Sequence, residues 1–229
     1  MDLSTIQITR IDVREVVLYR VGLWLAGLGA TALAIWLAVH GAIDLRGAHV
    51  PVGLGATAWV ASVALWVMAL GAAVAVRYIH LYMGWLHTVL RGFIAVGLAA
   101  CLLATVLGDG LATNVYGHSW AGFGYGFVLA TLCGIAVKEM LCFGRITTLA
   151  FAVATPVLAL GHLLGLLSPV REVQLFYLAC VLLAAFGIAK LWQPYAADVG
   201  DKALLMRLRG YPLPPDYQGP DPWPLAPGP

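Results

Sequence analysis

Charge is what this sequence has least of. Lys, Arg, Asp and Glu together make up 10% of the 229 residues, against about 25% in a typical soluble domain, so a solvated globular surface is excluded. Carboxylates are missing from the middle of every long apolar run. Proton- and cation-coupled transporters place acids there, which disfavours that class. Cysteine is sparse as well: Cys101, Cys133 and Cys180 fall within apolar runs, Cys142 lies at the edge of one, and no pair is spaced as CxxC. That leaves no zinc or iron-sulfur signature, and buried thiols of this kind behave as small hydrophobes. HExxH and GxSxG strings are absent, as are internal repeats. No two histidines sit at matched depth to bracket a haem, because His87 and His162 belong to opposite leaflets. No cofactor is expected.

What fills the chain instead is apolar sequence, 62% of all residues. It is organised into six runs long enough to cross a bilayer, at about 16–39, 52–76, 85–107, 119–137, 146–167 and 173–191. The first is too long for a signal-peptide core, which spans about 7–15 residues. Gly108 to His118 reads as a polar, glycine-containing loop. Pro156 removes a backbone donor from the fifth run and should kink it. Trp192, Gln193 and Pro194 end the sixth.

The few cations are sorted by these runs. Arg10, Arg14, Arg20, Arg77, Arg91, Lys138, Arg145, Lys190, Lys202, Arg207 and Arg209 fall on one side of the implied membrane, and only Arg46 and Arg171 on the other. The positive-inside rule then places both termini in the cytoplasm. The expected fold is all-α: a six-helix transmembrane bundle over 1–195, a short amphipathic surface helix over 196–210 and a Pro-rich disordered tail over 211–229. Gly122 with Gly126 and Gly161 with Gly165 have the small-xxx-small spacing that permits close helix approach. Trp24, Trp36, Trp85, Trp120 and Trp192 fall near span ends, whereas Trp59 and Trp66 lie inside the second span and should pack or face lipid.

Two polar groupings remain as candidate sites. On the cytoplasmic edge, Arg77, His80, His87 and Arg91 meet Lys138, Glu139 and Cys142. His80 and His87 are seven residues apart, about 10 Å along a helix, too far to clasp one metal. Glu139 needs water or a cation such as Arg77, Arg91 or Arg145. On the outer face, His40, His49, His118 and His162 gather with Asp44, Asp109 and Glu172, and the histidines with Asp109 would suit a metal or general acid–base site. The spacing is not diagnostic for either grouping.

Three stretches carry a family likeness. Gly122-Phe-Gly-Tyr-Gly126 with Gly134-Ile-Ala-Val-Lys-Glu139 and Cys142-Phe-Gly144, Arg77-Tyr-Ile-His80-Leu-Tyr82, and Val199-Gly-Asp-Lys202 resemble the uncharacterised integral membrane protein family known as domain of unknown function 2301, over about residues 8–209. The resemblance implies a polytopic bacterial protein, often cyanobacterial, with no assigned activity. It therefore points to a bacterial inner membrane, or a thylakoid membrane. The lipid bilayer is the one sure partner, other membrane proteins are expected, and nucleic acid is not. The functional reading is a non-enzymatic protein acting through membrane partners, as an assembly or stabilising factor. A channel or transporter for a neutral or lipid-like solute, and a membrane enzyme or metal site on the outer face, stand as alternatives.

Overall fold

The computed structural model describes residues 8–39, 58–107 and 110–200. Within them the chain is helical, with no strand. Six helices are long and apolar enough to cross a membrane: α1 (Arg10–Val39), α2 (Ala58–Tyr78), α3 (Gly84–Val106), α5 (Ser119–Phe143), α6 (Ile146–Leu163) and α7 (Pro169–Ala189). Two short helices, α4 (Leu111–Gly117) and α8 (Tyr195–Val199), lie between or after them. The proposed tail over 211–229 and most of the 196–210 segment lie outside the described residues.

The helices succeed one another around a ring, α1–α2–α3–α5–α6–α7, and α7 closes it by packing back on α1. An even number of crossings brings both ends of the described chain to one end of the bundle, called here the termini end. The tightest seam is α1 against α2. A Cβ on Gly22 would lie 2.4 Å from the Ala75 nitrogen, and one on Gly71 2.5 Å from the Ala26 nitrogen. Hydrogen at these positions lets two backbones touch, which is how helices gain dispersion energy where lipid offers no hydrophobic drive. The glycines singled out by spacing behave otherwise. A Cβ on Gly126 or Gly165 would meet nothing within 4 Å, so neither glycine pair makes a close helix seam. Gly165 serves a turn at positive φ after α6.

Outward faces carry Val96, Leu102, Leu103 and Val106 of α3 and Val153, Val157 and Leu160 of α6, as a lipid-facing surface requires. Trp59 is exposed among them. Trp66 is partly buried, and its indole nitrogen donates to the Thr105 hydroxyl of α3 at 3.1 Å.

The segment expected to be a loop before His118 contains α4. Leu111, Ala112 and Asn114 are buried there, against α2, α3 and α5. The Asn114 amide donates to the Ala104 carbonyl at 2.8 Å, and the Ser62 hydroxyl accepts from the Ala112 amide at 3.0 Å. Asn114 looks like a loop residue in sequence, but its side chain serves the buried Ala104 carbonyl in the last turn of α3. α6 continues through Pro156 without interruption.

Candidate functional site

At the termini end, α5 runs six residues beyond the charge-free run, to Phe143, and ends at Gly144 in the left-handed region (φ 63°). That extension carries Glu139 inside the bundle, where it is 0% exposed. Burying a carboxylate costs several kcal/mol unless it is paired. Glu139 is paired three ways: the Tyr19 hydroxyl of α1 donates at 2.9 Å, Lys138 Nζ lies at 3.0 Å, and Lys190 Nζ lies at 2.5 Å. None of Arg77, Arg91 and Arg145 supplies these contacts.

Lys190 follows α7 directly and is itself 0% exposed. It bridges Glu139 to Asp198 of α8. Burial draws its ammonium below the ordinary lysine range, while Glu139 and Asp198 pull it back up. Asp198 also receives Arg20 Nη2 at 2.7 Å and Nε at 2.9 Å, a two-pronged contact from α1, and the Gln193 amide at 3.2 Å. The network thereby fastens α1, α5, α7 and α8 together. Asp198 and Val199 of α8 are buried, so this short helix docks into the bundle.

The other members of the cytoplasmic-edge grouping point elsewhere. Arg77 is exposed, its guanidinium 5.5 Å from the Tyr78 ring. His80 Nε2 meets Glu15 at 3.2 Å. His87 Nε2 lies 2.8 Å from the Val76 carbonyl. Arg91 and Cys142 are exposed. Tyr19, Arg20, Lys190, Gln193 and Asp198 were not among the expected site residues. Their one sequence signal is Lys190, a cation just inside an apolar run at the same membrane end as Glu139.

At the opposite end, His40, Asp44, His49 and Asp109 lie outside the described residues. His118 is exposed at the start of α5. His162 Nδ1 pairs with Glu172 of α7 at 3.3 Å. Among the described residues no group of three or more His, Cys, Asp or Glu could hold a metal.

Between the His162–Glu172 pair and the middle of the ring lies a cavity of about 160 Å³. Its wall is almost wholly apolar, including Leu33 and Leu37 of α1, Met68 of α2, Leu129 of α5, Phe151 of α6 and Phe176 of α7. Tyr116 of α4 also lines it, and burial pushes that phenol above its usual range. The Tyr125 hydroxyl, on the same wall, is satisfied by the Leu65 carbonyl at 3.0 Å. The deepest lining residues, Phe151 and Leu183, are buried. The charge network lies beyond them at the termini end.

No curated protein and no solved structure matches the chain. Residues 74–206 match the model of a family described as "Uncharacterized integral membrane protein (DUF2301)". That span covers α3 to α8, with the last turn of α2, and so takes in Lys138, Glu139, Lys190 and Asp198 together with His162 and Glu172. With more than half of its length matched, the chain belongs to this uncharacterized integral membrane protein family.

Proposed function

We propose that this multi-pass membrane protein is non-enzymatic and holds a lipid-like molecule, or the apolar end of one, in the cavity ringed by its helices, with both described chain ends in the cytoplasm. The observation that carries this reading is the cavity itself, about 160 Å³ with an apolar wall and one ionisable pair, His162 and Glu172. An apolar void of about 150 Å³ is enough to take up a benzene ring, so a ring or a bent stretch of acyl chain fits. The His–carboxylate pair would meet a hydroxyl, amide or ester group at the cavity's end. Sealing of the opposite end by the Tyr19–Glu139–Lys190–Asp198 network favours binding over free conduction.

Action through partner proteins was the first expectation from sequence. Tyr19, Glu139, Lys190 and Asp198 meet one another inside one chain, which argues against those four as a docking surface. The test is photo-crosslinking of a diazirine-bearing fatty acid to the protein in nanodiscs, with peptide mapping. Labelling at α6 and α7 positions such as Phe151, Thr155 and Phe176 is expected, and Ala159→Trp should suppress it. Labelling confined to outward-facing positions such as Val153 and Leu160, insensitive to Ala159→Trp, would reject the reading.

A further inference from the structure

At the termini end, Lys138, Glu139, Lys190 and Asp198 pair with one another inside the bundle, but two arginines take no part. Arg77 and Arg91 are exposed, and among the described residues neither forms an ion pair or a side-chain hydrogen bond. Arg77 has the Tyr78 ring 5.5 Å away, which attracts a cation without neutralising it. Glu15, an acid at the same end, is engaged by His80 at 3.2 Å.

Helix periodicity puts both arginines on the lip of one seam. α2 and α3 touch where the Trp66 indole donates to Thr105 at 3.1 Å, and where His87 Nε2 lies 2.8 Å from the Val76 carbonyl. Arg77 follows Trp66 by about three turns and so shares its face of α2. Arg91 follows His87 by about one turn, roughly 40° round α3 from the seam toward the exposed side. Because Arg77 directly follows Val76, the two arginines differ in depth by only about 10 Å. Side chains lean toward the N-terminus of their helix, which for α3 is the termini end, so Arg91 leans toward the level of Arg77.

Arg91 also lies within the apolar layer. It is about 10 Å along the axis from the start of α3, and its neighbour Leu90 packs at Gly134 of α5, where a Cβ would lie 2.4 Å from Leu90 Cδ2. That is one turn deeper than Lys138. A lipid-facing cation at this depth is stabilised by reaching an anionic group or the headgroup layer. Leu70 of α2 and Ala95 and Leu102 of α3, all exposed, continue the lip toward the middle of the membrane.

We propose that the lip of the α2–α3 seam binds an anionic phospholipid, with its phosphodiester between Arg77 and Arg91 and its acyl chains along Leu70, Ala95 and Leu102. Charge complementarity selects the occupant. A guanidinium meets phosphate oxygens with two parallel N–H donors. Two cations with no paired carboxylate favour a headgroup of net negative charge over a zwitterionic one, whose ammonium they repel. The site lies on the outer surface of the bundle and is independent of the cavity ringed by the helices.

The experiment is native mass spectrometry with thermal unfolding of the full chain in mild detergent, with phosphatidylglycerol, phosphatidylcholine or inorganic phosphate as the added probe. Wild-type protein should retain phosphatidylglycerol and be stabilised by it in preference to phosphatidylcholine. Arg77→Gln and Arg91→Gln should each lower the apparent affinity about tenfold, the scale of one hydrogen bond to a charged group. Arg14→Gln, which removes an exposed cation of α1 at the same end, should leave it unchanged. Should a seam variant fail to fold, the wild-type comparison decides. The proposal is overturned if the wild type shows no preference, if either seam variant binds like wild type, or if Arg14→Gln weakens binding equally, which would mean diffuse attraction to surface charge. Equal stabilisation by inorganic phosphate would make the occupant a free anion, and a lipid-free dimer dissolved by Arg91→Gln would make it a second copy; either result also overturns it.

Discussion

Replacing Glu139 by Gln keeps the shape of the side chain and removes its charge. In the intact protein this carboxylate is fully buried, with Lys138 Nζ at 3.0 Å and Lys190 Nζ at 2.5 Å. The amide oxygen of the variant can still accept from the Tyr19 hydroxyl. It cannot neutralise two ammonium groups, and Asp198 would be left as the single buried anion facing Arg20 and Lys190. Removing one member of a buried pair costs about 3–5 kcal/mol. At about 2–4 °C per kcal/mol for a chain of this size, the apparent melting temperature should fall by roughly 6–20 °C. The assay is heating in nanodiscs, followed by the fluorescence of the eight tryptophans. Glu15→Gln provides the internal reference. Glu15 pairs with His80 at the same end of the bundle, but its side chain is 41% exposed, so its loss should cost at most about 1 kcal/mol. Equal, small shifts for the two variants would mean that Glu139 is hydrated and that the network does not hold the helices together.

Two further outcomes follow from packing and exposure. Gly71→Val places a branched side chain where even a Cβ would meet Ala26 and Gly22 backbone atoms at 2.5 and 2.6 Å; a loss of about 1–3 kcal/mol is expected by thermal unfolding, while Gly126→Ala, with nothing within 4 Å, should be neutral. Cys142 is the one exposed thiol among four cysteines, so a membrane-impermeant maleimide should label it from the cytoplasmic side alone, and labelling in intact right-side-out cells would reverse the proposed orientation.

The spans were legible because a charge-free run of about 20 residues has few other uses. The ends of α5 and α7 were harder to read for the same reason. Lys138, Glu139 and Lys190 looked like the chain's exit from the membrane, since a single sequence reports a charge but not its partner 50 or 120 residues away. Once Glu139 meets Lys190 and Tyr19, the helix can keep it inside. α4 was hidden by Asn114, which serves the end of α3 rather than solvent. The close α1–α2 seam has no spacing signature because Gly22 and Gly71 face each other from different helices, whereas spacing reveals only glycines that share one. The cavity had no signature at all. Its wall residues are the same Leu, Phe and Ala that elsewhere fill the core, and a void is a property of how six helices fail to meet.

The cavity reading is tested most directly by an experimental density map of the protein in a lipid nanodisc. Elongated, non-protein density is expected inside the ring, running from Phe151 and Leu183 toward the His162–Glu172 pair and lost in Ala159→Trp. A cavity that is empty, or closed by inward packing of Leu33, Met68 and Phe176, would contradict it.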